Sequence, residues 1–207
     1  MDGWHAGIRV NGGHGADRLL SPATTAEGMN LPPNYAWLNM AVLPKTIEEG
    51  LKLYGITEVV GKGSNKTIIG WRDELNQAGI KIEGYSDDDI PWCGLFAAIV
   101  AHRAGKAVIK DPLWARNWAN FGVKSPAASL GDCLVFGRNG GGHVGWYVAE
   151  DSTAYHVLGG NQSNKVCITR VAKDRCLAVR RPVYNAQPAS VKPYLVQSAG
   201  GLSQNEA

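Results

Sequence analysis

The sequence predicts an α+β fold in which N-terminal helices pack on a C-terminal antiparallel β-sheet. Three observations carry that prediction. Before about residue 122 the apolar residues recur at helical spacing and are closed by capping residues and glycines. After Ser125 the texture changes to short runs rich in Val, Ile, Tyr and Cys, separated by Gly, Asn, Asp and Ser. Helices first and strands after is the order of an α+β domain rather than of an alternating α/β one.

The helices are read in order. TIEEGLKLYG has Thr46 as its cap and Gly55 as its stop, and KTIIGWRDELNQAG ends at Gly79. The third helix is opened by PWCGLFAAIVAHRAG, where Pro91 suits a helix start and the apolar run marks a buried helix. A fourth, DPLWARNWANFG, places Asp111 and Pro112 at cap and first-turn positions and stops at Gly122. The strands follow as DCLVFG, HVGWYVAE, AYHVLGG, KVCITRV and CLAVRRPVY, an antiparallel meander. Residues 1–45, rich in Gly, Asn and Pro, read as an N-terminal extension; 46–185 form the folded domain; 186–207, polar and small, read as a flexible C-terminal tail.

Of the 207 residues 44% are hydrophobic and 19% charged, enough for one domain to bury a core. No stretch approaches a membrane span. MDGWHAGIRVNGGHG lacks the basic patch and apolar core of a signal peptide, so synthesis in the cytoplasm with reduced thiols is expected. A net charge of +3, with no basic cluster beyond Arg180 and Arg181, gives nucleic acid little to hold. The four cysteines, Cys93, Cys133, Cys167 and Cys176, form no CxxC pair, and no metal or cofactor is expected. Cys133 and Cys167 lie in strands and read as small buried hydrophobes.

Cys93 differs. A thiol at a helix N-terminus meets unsatisfied backbone N–H groups and the positive end of the dipole, which favours thiolate. Gly94 beside it would admit a substrate backbone. Asp87, Asp88 and Asp89 oppose thiolate unless engaged elsewhere, and capping the helix is the expected task of Asp88. The base must be a histidine. His5 and His14 lie in the Gly-rich extension, and His102 is more than two turns along the same helix. His143 follows a glycine run at the mouth of a strand, with Gly145 on the same face leaving room beside the ring. A Cys on a helix and a His on the sheet packed against it is the arrangement that thiol-dependent acyl transfer requires.

The ordered set LKLYGITEVVGKGSN, PWCGLF, WARNWANFGV, LGDCLVF, GGHVGWYVAED, VLGGNQSNKV and VRRPVY, spanning about two thirds of the chain, resembles the NlpC-type and CHAP cysteine peptidases and amidases of bacterial peptidoglycan. It is most similar to a subgroup found in phage and prophage cell-wall hydrolases. The resemblance implies a papain-like core over residues 46–185, with Cys93 as nucleophile and His143 as base and then acid. It implies a third residue orienting the imidazole: Asn161 in GGNQ is preferred, with His156 as the alternative. The backbone N–H of Cys93 is the natural oxyanion donor. Gln162 is a candidate second donor at the substrate, or a loop brace. Trp92 and Trp118 are candidate groove walls, since flat apolar rings suit glycan or peptide faces.

The function so implied is a peptidoglycan hydrolase, an endopeptidase or N-acetylmuramoyl-L-alanine amidase, and specifically a phage or prophage lysin. Its partner is peptidoglycan, with phage structural proteins as partners of the N-terminal extension. It reaches the wall or periplasm by holin release, on a virion tail or by injection. The alternatives are an interbacterial amidase effector, a non-catalytic virion module of the same fold, and a transglutaminase-like or deamidating enzyme.

Overall fold

In the computed structural model, residues 29–197 and 200–204 are described. Three α-helices precede a six-stranded antiparallel sheet: α1 (Lys45–Leu51), α2 (Lys66–Gln77) and α3 (Cys93–Arg103), then β1 (Val123–Lys124), β2 (Cys133–Arg138), β3 (Gly141–Glu150), β4 (Ala154–Gly159), β5 (Cys167–Ala172) and β6 (Cys176–Arg181). The strand order is β1-β6-β2-β3-β4-β5. Strands β2 to β5 are thus the expected meander, and β6 crosses back to pair with β2.

Each helix end has a local cause. Asn65 caps α2 by accepting from the Thr67 N–H at 2.8 Å. Gly79 and Gly105, at φ of 80° and 67°, take the left-handed turns that close α2 and α3. Helix α1 starts one residue before the expected cap. Thr46 lies in its first turn and donates to the Gly131 carbonyl at 3.1 Å instead. The fourth expected helix is only a 3₁₀ segment, Ala115–Asn120. Asp111 sits at a φ of 51°, a left-handed conformation that leaves it unable to open a helix, and the chain turns at Trp114.

Helix α3 is buried on every side from Cys93 to Ala101, as an all-apolar helix must be. It packs between α1 and α2 on one side and β3 and β4 on the other. Trp71, Trp92, Phe96, Trp118 and Trp146 fill this core. A second apolar cluster on the sheet contains Leu134, Phe136, Tyr147, Val157 and Val171. Asp132, fully buried before β2, takes a two-pronged contact from Arg181 of β6 at 3.0 and 2.9 Å, locking the crossing strand to the meander. Arg180 donates to the carbonyls of Phe121 and Gly122, so this basic pair is spent internally.

The expected boundaries at 45 and 186 both fall inside packed structure. Leu31, Tyr35, Leu38 and Leu43 belong to the same core as α1. After the sheet, Val191 is buried, and Tyr194 stacks on Trp37 with ring centroids 4.6 Å apart. Gly- and Pro-rich composition concealed the four apolar anchors of the first segment, and a polar average concealed Val191 and Tyr194. His5 and His14 lie outside the described residues. No helix among the described residues is long and apolar enough to cross a membrane.

Candidate active site

Cys93 is the first residue of α3, and its sulfur lies against the backbone N–H of Val144, next to His143 on β3. The helix head and the strand mouth therefore meet at the Val144 backbone. Val144 packs into the helix-side core, while the His143 ring lies over Phe136, its register partner on β2, at 6.3 Å between centroids and 27° between planes. His143 is fully buried, and Cys93 is 4% exposed. Cys93 opens on a cleft of about 780 Å³ whose walls include Pro91, Trp114, Arg116, Arg138 and Gly142.

The thiol departs from expectation. Burial pushes its pKa up; the N–H groups of Val144, Gly94 and Cys93 itself and the charge of Arg138 pull the other way with less effect. The helix terminus moderates the cost of a thiolate without making one. Nor does Asp88 cap α3. Its Oδ2 accepts from the N–H groups of Val59 and Asn65 at 3.0 and 2.8 Å, pinning the loop before α2. Carboxylate oxygens of Asp87, Asp88 and Asp89 lie within 4.8 Å of one another, the one group of potential metal ligands among the described residues.

The third residue is the main correction. His143 Nε2 lies 3.0 Å from Gln162 Oε1, not at Asn161 or His156. Gln162 is fully buried, and its Nε2 donates to the carbonyls of Val157, Gly159 and Cys167 at 3.1, 3.3 and 2.6 Å. Because carbonyls only accept, this nitrogen must be the NH₂ end, which leaves Oε1 as an acceptor. The imidazole must then donate from Nε2, and in its neutral form the lone pair is on Nδ1. Gln162 thus fixes the tautomer, and it is neither a substrate contact nor an oxyanion donor.

The GGNQ segment builds this contact step by step. A side chain on Gly159 would strike the Gln162 amide at 2.7 Å. One on Gly160 would strike Phe96 and Trp92 at 2.5 and 2.7 Å, where the loop passes over α3. Asn161 takes a left-handed φ of 55°, which Asn tolerates better than most residues, and so aims Gln162 back at the sheet. Asn161 is the hinge and Gln162 the contact. The pairing of β3 with β4 shifts register between Tyr147 and Ala149.

His156 has both ring nitrogens engaged. Tyr35 Oη donates to Nδ1 at 2.7 Å, and Nε2 donates to Asp151 Oδ2 at 2.8 Å, with Arg170 Nε on the same carboxylate oxygen at 2.8 Å. Burial lowers the His156 pKa, and Tyr35 is pushed up to about 12, chiefly by its own burial. Arg170 holds the Asp151 carboxyl well below its usual range. This network ties the segment before α1 to the sheet.

The tryptophan expectations are also corrected. Trp92 is fully buried and donates from Nε1 to Glu58 at 3.0 Å; Trp118 is fully buried and donates to the Pro112 carbonyl at 2.9 Å. Neither offers a face to the cleft. Trp114, 72% exposed, does. The glycines were misread in the same direction. A Cβ on Gly94 would lie 2.3 Å from the Pro112 carbonyl oxygen, so Gly94 admits this chain's own backbone. Gly145 makes room for Val157, at 2.5 Å, rather than for space beside the ring. Gly142 clears Arg116, whose Cγ would be 2.9 Å from an added Cβ and whose Nε donates to the Gly141 carbonyl at 3.0 Å.

No protein-family model, curated protein or solved structure matches this chain.

Proposed function

We propose that this chain is a cysteine hydrolase of the NlpC/CHAP type that cleaves an amide bond in bacterial cell-wall peptide. The observation that carries the reading is the buried Gln162 amide. Its amide nitrogen faces three carbonyls, which leaves only an acceptor for His143 Nε2; in the neutral imidazole the lone pair is then on Nδ1, in a strand mouth beside a cysteine at a helix head. That is the state a general base needs.

In the proposed reaction Nδ1 takes the proton from Cys93 Sγ as the sulfur attacks the amide carbonyl carbon. The C=O π pair moves onto oxygen, and the N–H of Cys93 is placed to stabilise it. The oxyanion collapses, the C–N bond breaks, and the Nδ1 proton passes to the leaving amine. Water, deprotonated by Nδ1, then attacks the thioester; the carbon–sulfur bond breaks, and the proton returns to sulfur with release of the acid. A raised thiol pKa suits this order, because the proton moves when the substrate arrives. The exposed Trp114 ring and the 780 Å³ cleft support a peptide or glycan ligand. A phage or prophage lysin is the setting proposed from the sequence resemblance, with an interbacterial amidase effector second.

The burial of the thiol favours one other reading, a non-catalytic wall-binding module of the same fold. Loss of turbidity of purified sacculi separates the two. The proposal expects clearing by the wild type and none by Cys93→Ala or His143→Ala, with unchanged melting temperature for Cys93→Ala. Sacculi that bind the wild type without releasing fragments would select the module, and clearing by Cys93→Ala would remove the thiol from the chemistry. Mass analysis of released fragments names the bond.

A further inference from the structure

Resting on the acyl-transfer reading of the cleft, we infer that Arg138 is a specificity-determining residue that receives a carboxylate of the substrate peptide beside Cys93. Arg138 ends β2 at the cleft rim, and its guanidinium lies against the backbone of Gly141, where an added Cβ would be 3.4 Å from Nε. That Nε is shut off from water and has no hydrogen-bond acceptor among the described residues. By contrast, Arg72, Arg103, Arg170 and Arg181 are paired to Asp73, Glu74, Asp151 and Asp132. The second cation of the cleft, Arg116, is held in place by the Gly141 carbonyl. The carboxylate on the cleft wall, Glu83, is turned to Lys81 at 3.4 Å and pairs with neither arginine.

Arg138 makes no hydrogen bond or ion pair among the described residues, so its terminal N–H groups at the cleft are left for an anion to engage. Arginine's planar fork matches a carboxylate in two parallel bonds. Arg138 and Cys93 line the same cleft, so a group docked on Arg138 shares that cleft with the bond under attack. Trp114 and Pro91 give the same cleft an apolar wall for the rest of the peptide. The ligand so defined is an acidic peptide with a carboxylate near the scissile amide.

The test is binding to the Cys93→Ala protein, read by calorimetry, of a soluble cell-wall stem peptide with free carboxylates and of the same peptide with those carboxylates converted to primary amides. The free acid is expected to bind at least about tenfold tighter, the reach of one charge-assisted bond. Adding Arg138→Gln lowers its affinity to that of the amide peptide, which itself is unmoved, and Arg138→Lys restores part of the difference. Equal binding of the two peptides, absence of binding by the free acid, or a preference that survives Arg138→Gln overturns the inference. The peptide pair needs no arginine variant, so a folding failure of Arg138→Gln leaves the test intact. A preference that Arg138→Gln removes, alongside no hydrolysis by the wild type, upholds the carboxylate site and sinks the hydrolase reading.

Discussion

Replacing Gln162 by Met removes the acceptor at His143 Nε2 and the donors to three carbonyls while nearly keeping the side-chain volume. The amide makes contacts at 3.0 Å to His143 and at 3.1, 3.3 and 2.6 Å to Val157, Gly159 and Cys167, in a fully buried position. Counting the short contacts at about 1 kcal/mol each, with a further charge for stranded carbonyls, gives a stability loss of about 2–4 kcal/mol. For a chain of this length that lowers Tm by roughly 5–15 °C. On the proposed mechanism the freed imidazole also loses its fixed tautomer. An orienting bond of about 1–2 kcal/mol corresponds to a roughly 5- to 30-fold lower kcat/KM after correction for the folded fraction. Thermal melts and initial rates of sacculus clearing read the two effects separately. Asn161→Gly is the control, because glycine accepts the φ of 55° without strain, and it should keep near-wild-type rate. Full activity in Gln162→Met with a large loss in Asn161→Gly would refute the assignment and return the role to Asn161.

Three further outcomes are expected. Burial raises the thiol pKa of Cys93 and Cys133 above the ordinary 9.0, so each keeps its proton in the folded chain where the unfolded chain has lost it. Their contribution is present below the ordinary thiol pKa and declines as pH rises above it; urea titrations at pH 8 and 10 should show the decline, and Cys133→Ala should lessen it. An undiminished stability at pH 10 would contradict the burial. Trp114→Ala, at a residue 72% exposed on the cleft wall, should raise KM about three- to tenfold while leaving Tm unchanged, as loss of an exposed aromatic contact does; an unaltered KM would take Trp114 out of the groove. Arg181→Met strands the buried Asp132 carboxylate and should cost about 3–5 kcal/mol in chemical denaturation, whereas a loss under 1 kcal/mol would mean that Asp132 finds another partner.

The elements legible in the sequence were those with strong periodicity. The all-apolar run after Cys93 and the strands β2 to β4 report burial directly and lie where expected, whereas β5 and β6 are largely half-buried. What escaped was set by contacts distant in sequence. Nothing local to Tyr35 announces a bond to His156, 121 residues away. The 3₁₀ segment at Ala115–Asn120 was overcalled because Asp111 and Pro112 imitate a helix start, while the left-handed φ of Asp111 is invisible in sequence. In GGNQ the polar pair next to two glycines was a legible signal. Which of the two faces His143 depends on the sign of one backbone angle, and a left-handed Asn161 hands the contact to its neighbour. Gly94 reads as room for a substrate backbone and Gly145 as open space beside the His143 ring, yet both spaces are filled by the chain's own atoms.

That crowding bears on the chemistry. A sulfur 4% exposed, with its pKa raised by burial, is poorly suited to standing as a thiolate before substrate arrives. The same burial commits His143 Nε2 to Gln162, and on the proposed mechanism the proton that moves therefore goes to Nδ1. Low dielectric penalises any charge that later appears there and strengthens that charge's attraction to nearby dipoles. The N–H groups of Val144 and Gly94 already point at the sulfur. On the proposed mechanism the cost of ionisation is therefore met by dipoles in place beforehand, together with Arg138, whose field favours negative charge at the same atom. Neutralising Arg138 should then slow alkylation of Cys93 by iodoacetamide at fixed pH even with no peptide present, and a rate independent of that charge would mean that the fixed N–H dipoles alone tune the thiol.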